Sequence, residues 1–339
     1  MAIDFAKRPP RSVLERFDAF VASDPPFRSW CRLKQSIYRH QHGWQCGTDG
    51  RLDSATGRPR LLGNYLVESD ARAGRNFLNH EIARAASERI NDRELGDNIE
   101  EGRLLSNMLT SQTLCFNLFL PQRRNLALAT KIWSALFEGE VAAVVDVKVE
   151  HSPGRRHAQL GIGDKSAFDA FVLLKRPDGS RGIFAIETKY TDCFSVAPPP
   201  DKRYLPLVGN GKSDIERGRD LLIAAGTMTE AGWALASAMQ SQQLWRTHAL
   251  AESMRTAASA THVSYLVLHA AGDDECTCVL PEYELCLSHA AREKRCFRRL
   301  TLESFIATAR ASLDGADRTW LDDFNARYLE WPVEASSTA

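Results

Sequence analysis

The chain has 339 residues, 44% hydrophobic and 25% charged, an ordinary profile for a soluble globular protein with room for one large domain or two modest ones. Lys plus Arg and Asp plus Glu each total 43, so no net charge draws the molecule to a polyanion, and a nucleic acid would have to be held by local patches. No apolar run approaches the length of a membrane span, and the first residues lack the apolar core of a signal peptide, which predicts a cytoplasmic protein.

Residues 1–60 carry 11 Lys/Arg against 6 Asp/Glu. Periodic apolar positions predict helices over 12–23 and 27–39, interrupted by Pro25-Pro26. Arg28, Arg32 and Arg39 would ride on the polar side of the second, either as a solvated face or as an arm lying on a phosphate backbone. The Gly-, Asp- and Arg-rich segment 47–63 reads as a loop, and 65–68 as a short strand or turn. A helix follows over 76–90, then a longer one over about 100–119, stopped by Pro121. Gln112 and Asn117 in that helix are either satisfied core amides or groups that reach a site. Another amphipathic helix is expected over 126–137, ending at Gly139.

The pattern then changes to strands. Over 142–150, Val145, Val147 and Val149 alternate with Asp146, Lys148 and Glu150, so Asp146 and Glu150 share one face. The loop after it holds a compact basic knot, Arg155, Arg156 and His157, placed to touch phosphate. Residues 167–191 read as two apolar runs around a Pro177-Asp178-Gly179-Ser180 turn, with Asp169 in the first run and Glu187 and Lys189 at the end of the second. Period two puts Glu187 and Lys189 on one face. Asp169 joins them if it sits opposite Glu187 or Lys189, and a register one residue off turns it away. Such a Glu-x-Lys pair is either a surface ion pair of little energetic value or part of a site. The nearly continuous apolar run 182–186 argues for a strand buried on both faces, where charge is costly unless it is paired or ligates an ion. Two carboxylates and a lysine at such an edge suit a divalent cation with an amine beside the attacking water. That amine assists proton transfer if its pKa is depressed.

Beyond 191 the chain runs through Pro198-Pro199-Pro200 and a loop bearing Lys202, Arg203 and Lys212. Helices are expected over 215–225, capped by Ser213 and Asp214, and over 229–250. A short apolar strand is expected over 263–270, then helices over 281–290 and 302–312 with the basic stretch 292–299 between them. Eight cysteines are present. Cys276, Cys278, Cys286 and Cys296 lie close in sequence, as do Cys31, His40, His42 and Cys46, but neither set has the paired C-x-x-C spacing of a zinc site.

Reduced to its skeleton, the middle of the chain is helix, strand, strand, strand, helix, strand. Asp169 followed by Glu187-Thr188-Lys189 in that order of elements resembles the active-site signature of the PD-(D/E)XK nuclease superfamily. Segments 103–120 and 147–192 are similar to bacterial restriction-endonuclease-like proteins of that superfamily. The sequence departs from the motif in having Ala167-Phe168, and no proline, before Asp169.

The resemblance implies an α/β chain of the α+β type. It would have a restriction-endonuclease-like αβββαβ core, a mixed central sheet flanked by helices, and helical additions at both termini. Residues 1–100 would be a helical, basic extension and 101–331 the nuclease-like domain, with its core at about 101–270 and a helical part at 281–331; 332–339 would be a disordered tail. Asp169 and Glu187, with the Thr188 carbonyl, would ligate Mg²⁺, for which Mn²⁺ would substitute. Lys189 would orient the attacking water. Glu150 would be the additional acidic ligand, with Asp146 in reserve, and Gln112 would reach the site from its helix. The implied substrate is double-stranded DNA, cut by an endonuclease in restriction or phage defence, as a homodimer or with defence-system partner proteins. A repair or recombination nuclease, or a binding module that no longer cleaves, are the neighbouring readings.

Overall fold

The computed structural model describes residues 3–52, 56–93, 99–153, 161–164, 166–194 and 213–331. The basic knot at 155–157, the loop cations Lys202, Arg203 and Lys212, and the tail 332–339 lie outside the described residues.

Strands β1 (Cys46–Leu52) and β2 (Pro59–Leu66) form an antiparallel ribbon where the sequence suggested a loop. Glycines and charges mask the strand pattern there, because only the inner half of β2 is buried. The main sheet has five strands: β3 (Ala143–His151), β4 (Phe168–Lys175), β5 (Arg181–Lys189), β6 (His262–His269) and β7 (Phe297–Thr301), in the order β3-β4-β5-β6-β7. β3, β4 and β5 are antiparallel neighbours, whereas β6 and β7 run parallel to β5, so the sheet is mixed. The β4–β5 turn is closed by Arg176 and Ser180, with Gly179 at φ +85°. A parallel neighbour requires a crossover, and the segment between β5 and β6 supplies helices Asp214–Ala224, Glu230–Ala238 and Gln243–Ala257.

Both faces of the sheet are covered. Val147, Val149, Val172, Phe184, Ile186 and Leu266 point to helices Ser111–Arg124, Leu126–Leu136 and Leu302–Ala311, where Phe116, Phe119, Trp133 and Phe305 fill the interior. Trp133 lies 5.2 Å from the Phe184 ring and 5.6 Å from that of Phe305. On the opposite face, Phe171, Ile183 and Ala185 meet Leu250, Ala251 and Met254, and Tyr265 and Val267 meet Trp245 and Ala249. This double burial is the physical origin of the unbroken apolar run in β5.

Several boundaries differ from the sequence pattern. The long helix expected over 100–119 is two, Glu101–Ser106 and Ser111–Arg124, because Thr110 caps the second through its hydroxyl and Thr113 N. Pro121 sits inside that second helix, where burial of Leu118, Phe119 and Leu120 outweighs one missing backbone bond. The helix expected over 229–250 is likewise divided, so that Gln243 begins a new helix. β7 was hidden in the basic stretch. Its Arg298 is buried against Phe137 and ion-paired to Glu140 at 2.6 Å.

Of the three arginines expected on the polar side of helix Pro26–Gln41, only Arg28 stays partly exposed, 3.5 Å from Asp24, whereas Arg32 and Arg39 are buried. Arg32 is buried in a two-point ion pair with Asp24, and Arg39 donates to the carbonyls of Gly63 and Trp44. This helix packs on the C-terminal helix Ala316–Tyr328, whose Arg327 is fully buried. Arg327 donates to Gln35 Oε1 at 3.1 Å, Asn76 O at 2.7 Å and Asn76 Oδ1 at 2.6 Å, and Gln35 in turn donates to the Tyr190 hydroxyl at 3.2 Å.

His248, on the helix under β6, is fully buried with Nδ1 3.0 Å from the Tyr283 hydroxyl and no partner for Nε2 among the described residues. Burial pushes its pKa down to about 3, so the folded protein keeps it neutral while an unfolded chain protonates it below about 6.5. Stability from this residue is therefore lost as pH falls through that window. Denaturant titrations of the wild type from pH 6.5 to 4 should show a slope of unfolding free energy with pH that exceeds that of His248→Asn by roughly 1.4 kcal/mol per pH unit.

Candidate active site

The strand registers bring the acidic residues together. Ala170 is paired with Ile186 across β4 and β5, and Val149 with Ala170 across β3 and β4, with His151 opposite Phe168. Carried one step further, the same registers set Asp169 and Glu187 side by side on the face opposite Ala170 and Ile186, and bring Glu150, at the end of β3, beside Asp169. Lys189 follows two residues later on that face, beside His269 of β6. Asp146, two pleats back from Glu150, is half exposed next to Lys148 at 4.0 Å and takes no place in the row.

Glu150 is held in an unusual way. Its backbone has φ +52°, a left-handed conformation that costs a non-glycine residue about 1 kcal/mol or more. Arg89 braces this kink by donating to Val149 O at 3.0 Å and Glu150 O at 2.8 Å. The buried carboxylate accepts from Gln112 Nε2 at 2.9 Å. Burial, and then the neighbouring charge of Asp169, raise its pKa well above the usual carboxylate range. Gln112 thus reaches the acidic row. Its helix start is fastened to the end of β5 by Tyr190 N donating to Ser111 Oγ at 3.1 Å and by Ser111 N donating to Asp192 Oδ2 at 3.1 Å. Asn117, the other undecided amide, is instead buried in the core, donating to the Tyr328 hydroxyl and accepting from Leu78 N.

Asp169 Oδ2 accepts from both the amide and the hydroxyl of Thr188 at 2.7 Å, while Oδ1 accepts nothing among the described residues. Desolvation and the like charge of Glu187 lift the Asp169 pKa to about 7, against the lowering by these Thr188 bonds. Glu187 and Lys189 are both buried and form an ion pair at 2.9 Å. The surface-pair alternative is thereby ruled out. Gln243 closes a triangle: its Nε2 donates to Glu187 Oε1 at 2.7 Å, and its Oε1 accepts from Lys189 Nζ at 3.0 Å. Lys189 also lies 4.8 Å over the Phe194 ring. Burial alone would lower the lysine pKa, but Glu187 and Asp169 outweigh it and the net shift is upward. This amine is a fixed cation, not the depressed base that proton transfer would ask for.

The donor set suits a hard divalent cation. All three acids offer carboxyl oxygens and two are buried, and the raised pKa values of Glu150 and Asp169 mark charged forms that a bound cation would favour. Among the described residues no three His, Cys, Asp or Glu side chains stand closely enough grouped to cage a metal. Mg²⁺ does not need a cage, since it takes one or two protein carboxylates and completes its shell with water and substrate oxygens. Neither cysteine set gathers into a metal-holding group among the described residues.

Gln243 and Arg89 were not singled out from the sequence. A lone glutamine inside an expected helix and an arginine on an exposed helical face carry no local signal. Their roles depend on a helix break and on a kinked strand.

Two opposite stability effects follow from this electrostatic arrangement. In metal-free buffer at pH 8, Asp169→Asn should unfold at higher denaturant than the wild type, by about 1–2 kcal/mol, because it removes one of the crowded charges. Gln243→Ala should be destabilised by about 1–3 kcal/mol, since it takes hydrogen bonds from two buried ions. Equilibrium denaturation of the three proteins reads both effects.

A model of the PD-(D/E)XK nuclease superfamily matches residues 22–330. Neither the curated proteins nor the solved structures gave a match. With the family model spanning nearly the whole length, over a mixed five-stranded sheet flanked by helices, the chain belongs to the PD-(D/E)XK nuclease superfamily.

Proposed function

We propose that this nuclease is a Mg²⁺-dependent endonuclease that hydrolyses phosphodiester bonds in double-stranded DNA. The observation that carries the reading is the buried Glu187–Lys189–Gln243 triangle adjoining Asp169 and Glu150 at one sheet edge. Asp169 and Glu187, with the Thr188 carbonyl, would hold the ion, and Glu150 would add a further oxygen. When bound, the ion polarises the phosphoryl oxygen and offsets the charge that builds there.

The protein's own groups do the positioning. Lys189, kept protonated by Glu187 and Asp169, gives two of its three N–H donors to Glu187 and Gln243 and has one left to donate to and align the attacking water, while its charge offsets that building on the phosphoryl oxygens. Gln243 fixes the ammonium direction by occupying one of its three donors. Gln112 and Arg89 fix Glu150, the former by its carboxylate and the latter by its backbone. Thr188 locks the rotamer of Asp169 through Oδ2. Mn²⁺, with similar ligand chemistry, would substitute for Mg²⁺. Cutting both strands calls for two such sites, which favours a homodimer. A place in restriction or phage defence, with defence-system partners, accords with the resemblance of segments 103–120 and 147–192 to restriction-endonuclease-like proteins.

Supercoiled plasmid incubated with the protein and Mg²⁺ should be nicked and linearised. EDTA should abolish the reaction and Mn²⁺ restore it. Asp169→Ala and Lys189→Ala should each slow cleavage by about 100-fold or more. Cleavage persisting in both variants would refute the assignment of these residues.

A further inference from the structure

The end of the main sheet remote from the carboxylates gathers cations on one face. Gly182 of β5 is set opposite Leu174 of β4 and His262 of β6, and Phe184 is set opposite Ser264. These residues share the face that packs on Trp133 and Phe137. Arg298 of β7 lies there too, over the rings of Phe137 and Phe184, with Nε donating to Ser264 Oγ at 2.8 Å. Gly182 stands five residues before Glu187 on β5, about 17 Å away and facing the other side of the sheet.

The stem of Arg176 lies close over Gly182, where a Cβ would stand 3.5 Å from Arg176 Cγ and only 2.8 Å from Leu174 Cδ1. Its charge bears on both His262 and Arg298. The carboxylate among them is Glu140, and it is shared: Arg298 Nη2 donates to it at 2.6 Å and Arg295 Nη1 at 3.3 Å. Arg176 is left with no ion-pair partner among the described residues. Asp178, in the same turn, feels the Arg176 charge but stands beyond ion-pair distance and accepts from the Ser180 amide and hydroxyl.

His262 reports the imbalance. Burial, then Arg176 and Arg298, push its pKa down to about 4; Lys294 adds to this, and Glu140 opposes it. The ring is therefore neutral near pH 7, and its Nε2 is buried with no hydrogen-bond partner among the described residues. A buried polar atom without a partner and crowded like charges both cost free energy. An anion that accepts from Nε2–H and from the Arg176 guanidinium would relieve both. A phosphomonoester brings three acceptor oxygens and more charge than a carboxylate, so it can meet donors arriving from two different strands.

We propose that Arg176 and His262 Nε2, either side of Gly182, form an anion site for the phosphate of a phosphomonoester, separate from the candidate active site. A mononucleotide and the phosphorylated end of a nucleic acid present the same group. The site does not depend on the nuclease reading.

Calorimetric titration of the full chain in EDTA at constant ionic strength tests this, with inorganic phosphate, AMP, and a short DNA strand with and without a 5′ phosphate as probes. Wild type should bind phosphate saturably, and Arg176→Ala should weaken binding roughly tenfold or more. Arg176→Lys, which keeps the charge but loses the fork, should fall between them and serves if the alanine variant does not fold. Arg123→Ala, at an exposed arginine of helix Ser111–Arg124, should bind as wild type does. Bound phosphate should also raise the pKa of His262, read from its ring protons by NMR, in wild type and not in Arg176→Ala. Tighter binding of AMP than of inorganic phosphate assigns a mononucleotide, and a preference for the 5′-phosphorylated strand assigns a nucleic-acid end. Equal affinity for the two strands, lost in Arg176→Ala, makes this a backbone contact and overturns the phosphomonoester assignment. Absence of binding overturns the site, and so does binding that every variant retains equally, which marks an adventitious ion only.

Discussion

Three carboxylates packed at one edge of a buried sheet repel one another and are each poorly solvated, and the fold is arranged to withstand this. The restraint is local and specific. Glu187 is neutralised by Lys189 and bound by Gln243, Asp169 is clamped by Thr188, and Glu150 is held by Gln112 with its backbone braced by Arg89. Each carboxylate has its own partner: Thr188 and Lys189 lie on β5 itself, and Gln112 and Gln243 come from two separate helices. The acids are thus held apart and oriented rather than left to pair among themselves, which is the preorganisation that charge stabilisation in a transition state requires. The raised pKa values of Glu150 and Asp169 mark the free energy stored in the arrangement.

That arrangement depends on elements far from the acids in sequence. The sheet is buried on both faces, so β5 cannot slip without exposing Ile183, Phe184, Ala185 and Ile186 together. The break before Gln243 sets a helix start over Glu187, and the break before Ser111 sets another beside Tyr190. In both cases it is the first turn of a helix that meets the end of β5.

The hairpin with Asp169, Glu187 and Lys189 was legible because period two and a symmetric turn constrain it strongly, and the order of elements follows from short apolar runs. Glu150 was preferred to Asp146 in the sequence, but the two share one face of one strand, so periodicity alone did not separate them. What separates them is the kink at Glu150 and the reach of Gln112, both tertiary. The β1–β2 ribbon and β7 escaped notice for a related reason. Their strands are short, charged and partly exposed, so the apolar alternation that reveals a strand is missing. Arg32 and Arg39 misled in the opposite direction, since their burial depends on Asp24 and on the backbone of a ribbon that the sequence did not disclose. The lysine is the instructive case. Its location was readable, but its protonation state follows from two neighbouring carboxylates and not from its burial.

Arg327 has a temporal meaning as well as a structural one. A ribosome delivers β4 and β5 long before it delivers the helix Ala316–Tyr328, yet the contacts that Arg327 makes with Gln35 and Asn76, and through Gln35 with Tyr190, require that later helix to be docked. Until then a nascent chain lacks the brace behind the residue that follows Lys189. The end of β5 is therefore completed only once the helix Ala316–Tyr328 has been made and has docked.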